Sequence, residues 1–170
     1  MNTFGKIIEY EKFKQVTYYS VLMDDNKLCE MDKFIEKFSE NENYIEDFNI
    51  LITIIEQMGE RKKAHQKWFR PENQAHALPP PSHQMKQFIV DEISKNELRL
   101  YCIWLSPEVV ILLNGGVKDA QTVQECTTDL YSKFLFAQKV GKAITEKLSY
   151  PDHELQINRK ELKGDFELFL

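Results

Sequence analysis

The chain has 170 residues, and 42% of them are apolar, which is enough for one hydrophobic core and short for two. Its 22 basic and 27 acidic side chains give a net charge of -5, which disfavours a surface that binds nucleic acid everywhere. Six glycines and six prolines leave little room for long linkers or Gly-rich phosphate-binding loops. We therefore expect a single domain over 1–170, with its core at about 16–150 and a C-terminal extension at 151–170.

Two strands and a helix are predicted before residue 40. The run VTYYSVLM at 16–23 is rich in β-branched and aromatic residues and ends at an Asp-Asp-Asn turn, which predicts a strand. KIIEY at 6–10 indicates a second strand before it. Apolar residues at helical spacing predict an amphipathic helix over 27–39.

A second helix should begin near Asn43 and end near Gly59. Asn43 and Glu46 have the spacing of a capping box, in which each side chain binds a free backbone N–H. Apolar residues continue at helical spacing to Met58, and Gly59 stands where a left-handed C-terminal residue is expected.

A loop and three strands should follow. Residues 60–86 contain a charge run and Pro79-Pro80-Pro81, which predict an extended loop with polyproline character. Strand-like runs at 86–93, 98–105 and 109–113 are separated by loops short enough for antiparallel pairing. Asn114-Gly115-Gly116 should end the last of them. A helix stripe from Leu130 to Leu148 follows, and the tail beyond 152 could add an edge strand or dock on a partner.

Helices grouped before a meander, without alternation of strand and helix, indicate an α+β domain. Its expected order is an N-terminal strand and two-helix hairpin, a three-stranded antiparallel meander and a C-terminal helix.

The block from Leu98 to Gln121, LRLYCIWLSPEVVILLNGGVKDAQ, resembles the C-terminal half of the RelE/ParE toxin superfamily, particularly its HigB-like and phage-derived branch. An Arg-bearing strand leads into a hydrophobic strand, then a Gly turn and Val117-Lys118. The expected order of elements agrees with this resemblance, which implies a RelE-like fold that binds messenger RNA, often on the ribosome, and cleaves it without a metal. Arg99 would bind phosphate, and Lys118 matches the first lysine after the Gly turn.

This sequence also departs from the family pattern. Asp119, Ala120 and Thr122 stand where family members commonly carry further basic residues. Lost cations weaken phosphate binding, because counterion release at Lys and Arg supplies much of that affinity. The resemblance therefore supports the fold better than the activity.

The charge is unevenly distributed along the chain. Residues 1–60 carry 6 basic and 13 acidic side chains, whereas residues 61–118 carry 9 and 5. The basic charge thus falls in the loop and meander, where the resemblance implies an RNA site. Alternatively, Arg61-Lys62-Lys63 could complement the dipole at the C-terminus of the preceding helix.

Each candidate site residue has a structural alternative. Arg99 should share a strand face with Tyr101 and Ile103, and it is either a phosphate ligand or one half of an ion pair with Glu97 or Asp91. Lys118 could be an ordinary surface lysine. Trp68 could stack on an unpaired RNA base, or with Phe69 it could anchor its loop to the core. The remaining candidates are His83 as a general base near the meander, and Arg70 and Lys86 as further RNA contacts.

The predicted function is that of a toxin in a toxin–antitoxin-like system, binding RNA and cleaving it as a metal-independent endoribonuclease. Two alternatives stay open: a RelE-like protein-binding module without catalysis, and a ParE-like topoisomerase inhibitor. We expect an antitoxin protein as a partner, with RNA or the ribosome as a further one, and no cofactor. No metal site is expected, since the histidines lack ligand spacing, and the three cysteines indicate buried side chains in a reducing compartment. The apolar runs are too short for a signal peptide or a membrane span, which favours the cytoplasm.

Overall fold

A computed structural model describes residues 3–90, 95–119 and 128–170. Three α-helices lie in these residues: α1 (Glu30–Phe38), α2 (Ile45–Gln57) and α3 (Thr128–Leu148). The strands are β1 (Phe4–Lys12), β2 (Thr17–Met23), β3 (Arg70–Glu72), β4 (Ala75–Leu78), β5 (Leu98–Ser106), β6 (Val109–Val117), β7 (Leu155–Asn158), β8 (Glu161–Gly164) and β9 (Glu167–Phe169). The chain is an α+β protein, as its sequence predicts, with more strands than expected.

Seven strands form one sheet, in the order β3-β4-β5-β6-β2-β1-β9. Its neighbours pair antiparallel except β2 and β6, which run parallel from Thr17 opposite Val109 to Tyr19 opposite Ile111. β7 and β8 make a separate two-stranded hairpin. The predicted strands at 6–10, 98–105 and 109–113 lie within sheet strands, and the one at 16–23 does so from Thr17 onward.

Apolar side chains line both faces of the sheet. Leu98, Leu100 and Cys102 belong to a core cluster with α1 and α2, whereas Tyr101 and Ile103 belong to a second cluster with α3 and the β7–β8 hairpin. Arg99 and its neighbours therefore alternate as predicted. Helices α1 and α2 cover one face of the sheet, and α3 covers the other. The fold therefore has three layers, and neither face of the sheet is left open.

Gly115 and Gly116 lie inside β6 and do not form a turn, contrary to the sequence prediction. A Cβ atom at Gly115 would lie 1.8 Å from the backbone oxygen of Arg99 on β5, so only glycine permits this approach. The pairing shifts register nearby, between Leu100 and Cys102.

The ends of α2 differ from the prediction. Tyr44 occupies the N-cap without a side-chain bond, and the Asn43 N–H instead binds the side chain of Asn41, so the predicted capping box is wrong. At the other end the chain continues through a π-helical turn to Lys62, and the left-handed residue is Lys63, with φ 65°. Gly59 is required for another reason, since a Cβ there would lie 2.5 Å from the Phe13 ring.

The predicted strand at 86–93 is wrong in its described part. Residues 82–87 form a 3-10 helix, and 91–94 lie outside the described residues. The amide of Gln57 satisfies both backbone groups of Ile89, donating to its oxygen at 2.5 Å and accepting from its nitrogen at 3.0 Å. Phe88 packs against Trp68, with ring centroids 4.9 Å apart. The Gln57 side chain thus makes the two backbone hydrogen bonds that a neighbouring strand would otherwise make with Ile89.

The third strand beside β5 and β6 is β4, which comes from the segment predicted to be a loop. β3 and β4 form a hairpin around Asn73, whose φ of 57° suits asparagine. β4 ends where the three prolines begin. At the far end of the sheet, β9 pairs with β1, which is the edge strand that the tail pattern anticipated.

Candidate functional site

Two candidate side chains lie on the short edge strand β3. Arg70 pairs with Ala77, and Glu72 pairs with Ala75, so both project from the face that carries Tyr101 and the α3 core. Their spacing of two residues is what places them on one face. Arg70 is a sequence-predicted contact, and Glu72 is not.

Helix α3 holds this hairpin in position. The Gln138 amide donates to the Glu72 backbone oxygen at 2.8 Å, and its oxygen accepts from the Gln74 N–H at 2.9 Å. A Cβ at Gly141 would lie 2.0 Å from the Gln74 oxygen, so this helix position must be glycine for the turn to approach. The backbone of Glu72 is therefore fixed by α3.

Arg99 lies on β5 and is only 8% exposed. Its guanidinium donates to the backbone oxygens of Asn96, at 3.0 Å, and Leu98, at 2.9 Å. The predicted ion pair with Glu97 is wrong, because the hydrogen bonds of Arg99 go to backbone oxygens and no salt bridge joins the two within the described chain. The other predicted partner, Asp91, lies outside the described residues.

Arg70 is held by the proline segment. Its Nε donates to the Pro79 oxygen at 2.8 Å, and a terminal nitrogen donates to the Pro80 oxygen at 3.3 Å. Prolines lack an N–H but keep their carbonyl groups, so this segment serves as an acceptor for the guanidinium. Lys118 follows β6, and its backbone N–H binds the Glu97 oxygen at 2.6 Å.

The charges of these side chains act on one another. Burial raises the pKa of Glu72, even though the positive charges of Lys118, Arg99 and Arg70 each lower it. Burial and the charge of Arg70 lower the pKa of Arg99 to about 10. The positive charges of Arg70, Arg99 and Lys118, which come from separate segments, therefore all act on one half-buried carboxylate. We call these four residues the Glu72 cluster: Arg70, Glu72, Arg99 and Lys118.

The Glu72 cluster combines groups that phosphoryl chemistry requires. Arginine offers a planar pair of donors that fits phosphate oxygens, and lysine adds a compact charge. A carboxylate whose pKa is raised is a stronger base than an ordinary one. Among the salt bridges of the described residues, none pairs Glu72 with a cation within 4.0 Å.

The other candidates lie elsewhere. His83 and Lys86 are exposed on the 3-10 helix at 82–87, and no hydrogen bond within the described chain joins them to the cluster. Trp68 is 5% exposed and packs on Phe88, which favours its alternative as a loop anchor. Asp119 is exposed, while Ala120 and Thr122 lie outside the described residues.

Glu72 is the residue that sequence reasoning missed. It lies in the polar segment 60–86, which the sequence predicts to be a loop. In a loop, a spacing of two residues does not indicate that side chains share a face. Had Arg70-Pro71-Glu72 been treated as an edge strand, the alternation rule would have placed Arg70 and Glu72 on one face. The Asn73 turn signal was the available clue.

Other site types find little support in the described chain. No group of three or more His, Cys, Asp or Glu side chains within 3–90, 95–119 and 128–170 could hold a metal ion. Cys29 and Cys102 are buried free thiols, and Cys126 lies outside the described residues. Of the helices in those ranges, none combines the length and apolarity that crossing a membrane requires.

Comparison of the chain with protein-family models, curated proteins and solved structures found no match. Within the described residues, the Glu72 cluster is the arrangement that bears most directly on function. The strongest features are the convergence of three cations and the raised pKa of the carboxylate among them.

Proposed function

We propose that this chain is a RelE/HigB-like toxin-family protein that binds RNA at the Glu72 cluster and cleaves it without a metal. The feature that carries the proposal is the half-buried Glu72 carboxylate, whose pKa burial raises while the charges of Lys118, Arg99 and Arg70 lower it. Three of those four residues, Arg70, Arg99 and Lys118, are also candidates on the sequence alone.

The chemistry follows from the groups present. Glu72 takes the proton of the ribose 2′-hydroxyl, and the 2′-oxygen attacks the adjacent phosphorus. Arg70 and Arg99 stabilise the extra negative charge of the phosphorane. The bond to the 5′-oxygen breaks, a 2′,3′-cyclic phosphate forms, and Lys118 donates a proton to the departing oxygen.

RNA approaches this site at the sheet edge. α1 and α2 cover one face of the sheet and α3 the other, so an open concave face is not the binding surface. β3 is the edge strand next to β4, and the Glu72 cluster begins there. The ligand therefore reaches Arg70 and Glu72 from beside the sheet, which differs from the arrangement that the resemblance implies.

The decisive experiment measures cleavage of RNA in the presence of EDTA. We expect Glu72→Gln to lose at least about 100-fold in rate, since a general base contributes on the order of 10²–10⁴. RNA affinity should be unchanged or tighter, because a negative charge is removed. Glu146→Gln on α3 is the matched control, as an exposed carboxylate away from the cluster.

Three outcomes would overturn the proposal. The first is a wild-type rate in Glu72→Gln, and the second is cleavage that EDTA abolishes. The third is a wild-type protein that neither cleaves transcripts nor slows growth on expression in bacteria. Arg99→Met and Lys118→Met should each weaken RNA binding, which separates the phosphate ligands from the base.

A second function, protein binding without catalysis, is favoured by the edge strand β9. Phe169 on this strand is 55% exposed and contacts Phe4, itself 52% exposed, with ring centroids 4.8 Å apart. We propose that an antitoxin protein docks here by adding a strand to the sheet. Phe169→Ser should abolish co-purification with that partner, and unchanged co-purification would contradict the proposal.

A further inference from the structure

The segment that leads to the Glu72 cluster is unusually basic. Residues 61–71 contain five Lys and Arg side chains and no Asp or Glu, directly after an acidic helix. Arg61, His65 and Lys67 are exposed in the structure. This concentration of charge exceeds what capping the helix dipole requires, because only Arg61 and Lys62 lie in the last turn of the π-helical segment that follows α2.

Aromatic rings accompany these cations. The Lys67 ammonium lies 5.8 Å from the centre of the Trp68 ring, and the Lys62 ammonium lies 5.9 Å from that of Phe88. The His65 ring contacts Trp68 edge to face, with centroids 4.7 Å apart. The ammonium groups of Lys62 and Lys67 therefore lie over aromatic rings, and these contacts restrict the positions of both side chains.

Trp104 provides a partly exposed ring beside this segment. Its indole N–H donates to the Ala64 oxygen at 2.7 Å, and the Ala64 N–H donates to the Pro107 oxygen at 2.8 Å. The His76 ring lies 6.4 Å from the indole, and its Nδ1 has no hydrogen-bond partner in the described chain. The indole is thus fixed in orientation while part of its surface faces solvent.

Few carboxylates neutralise these cations. The Lys63 ammonium lies 4.0 Å from the Glu108 carboxylate. Within the described residues, this is the ion pair that involves a cation of the segment. Arg61, Lys62 and Lys67 have no carboxylate within 4.0 Å in the same ranges. Their charge is consequently available to an anionic ligand.

We propose that Arg61, His65, Lys67 and Trp104 form a binding surface for single-stranded nucleic acid, separate from the Glu72 cluster. Phosphates bind the two cations, and an unpaired base stacks on the exposed part of the Trp104 ring. An acidic polypeptide would satisfy the cations but leave the ring without a stacking partner, and a duplex keeps its base faces covered. Because the segment ends at Arg70, the surface leads a strand to the Glu72 cluster; only this last step rests on the proposed function.

The first test compares two charge variants with the same number of lost cations. We expect Arg61→Gln with Lys67→Gln to weaken binding of a fluorescein-labelled oligouridylate by about tenfold or more. The slope of log affinity against log salt should fall by about 1.4, since each cation contributes about 0.7 for a single strand. Lys139→Gln with Lys142→Gln, two exposed cations on α3, should change neither quantity. Equal losses in both variants would overturn the proposal.

The second test examines stacking directly. The chain has two tryptophans, and Trp68 is only 5% exposed, so quenching by oligouridylate should come from Trp104. Trp104→Phe should abolish the quenching, and a 5-bromouracil oligonucleotide should crosslink to Trp104 in the wild-type protein. Equal binding of duplex RNA, or of poly-glutamate at the same charge concentration, would contradict a single-strand surface.

Cleavage assays separate this inference from the proposed function. Lys139→Gln with Lys142→Gln should keep the single-turnover cleavage rate, whereas Glu72→Gln should lose cleavage and keep the tryptophan quenching. A protein that binds and quenches but never cleaves would refute the nuclease and retain the surface. A protein that cleaves RNA but shows neither tryptophan quenching nor crosslinking would refute the single-strand surface and retain the nuclease.

Discussion

Arg70 and Arg99 project from the same face of the sheet, and burial together with the charge of Arg70 lowers the pKa of Arg99 to about 10. Two like charges held together in a half-buried place disfavour the folded state. Each is tied to backbone oxygens, Arg70 to the prolines and Arg99 to Asn96 and Leu98. An arrangement that costs stability in the free protein suits a site whose ligand is an anion.

Replacing Arg99 by methionine should therefore separate stability from binding. The pKa of Arg99 is lower in the folded than in the unfolded state, so at neutral pH its charge opposes folding, and this cost is relieved only as the pH rises through about 10. We expect Arg99→Met to raise the free energy of unfolding by about 1 kcal/mol, at the low end for replacing buried charge by apolar volume. Urea denaturation and RNA titration on the same samples measure the two effects.

Arg70→Met provides the matched comparison for Arg99→Met. Because the repulsion is mutual, the double variant should gain less stability than the sum of the two single variants. A loss of more than about 1 kcal/mol in Arg99→Met would mean that its hydrogen bonds to the backbone are its main role.

A site residue could be predicted from the sequence where its neighbours form a recognisable motif or a strand pattern. Arg99 and Lys118 were predicted because the block 98–121 resembles the RelE/ParE superfamily, and the apolar runs of β5 and β6 within that block are long enough to recognise. Arg70 was found through its aromatic neighbours. Glu72 was missed because a three-residue edge strand has too little periodicity to recognise, and its distance from Lys118 along the sequence hides their proximity.

The fold was predicted best where pairing is local. β5 and β6 join through a short turn, and their antiparallel pairing was confirmed. The parallel contact of β2 with β6 joins segments about ninety residues apart, and nothing in either strand specifies its partner. The segment at 86–90 has a strand-like composition, but Gln57 takes its backbone hydrogen bonds, which only the tertiary structure decides.

Removal of the Gln57 amide should release that segment. Gln57→Leu keeps the volume but leaves the N–H and oxygen of Ile89 without their partner, which should cost about 1–3 kcal/mol. Hydrogen exchange followed by mass spectrometry should show faster exchange in the peptide containing Ile89. Gln87→Leu, an exposed glutamine in the same segment, is the control. Equal exchange in both variants would mean that Phe88 packing alone holds the segment.

Lys147 should link the stability of the C-terminal strands to pH. Its ammonium binds Asp165 at 2.7 Å and lies 3.5 Å from Glu154, and this contact lowers the pKa of Asp165. A carboxyl whose folded pKa is lowered stabilises the fold above its unfolded pKa, and the contribution is lost as the pH falls through the folded value. The difference in stability between wild type and Lys147→Met should therefore be present at pH 7 and shrink below about pH 4.

Thermal unfolding between pH 3 and 7 measures this difference. Lys142→Met, an exposed lysine on the same helix, should show no such dependence. High salt should also reduce the effect, because Asp165 is exposed and its ion pair is screened. A difference that stays constant with pH would assign the role of Lys147 to its apolar stem.

The two adjacent glycines of β6 should respond differently to alanine. A methyl group at Gly115 would collide with the backbone oxygen of Arg99, which cannot move without shifting β5. At Gly116 the nearest atom is a side-chain oxygen of Asp129, at 3.4 Å, which is an ordinary contact. We expect Gly115→Ala to lower the free energy of unfolding by at least about 1–3 kcal/mol, as overpacking typically does, and Gly116→Ala to change it by less than about 1 kcal/mol.

The same two variants should differ in RNA binding. Because Gly115 lies against the carbonyl of Arg99, Gly115→Ala should weaken RNA binding in the fraction of the protein that folds, whereas Gly116→Ala should bind as wild type. Equal tolerance of both substitutions would contradict the close approach of β5 and β6 that positions Arg99.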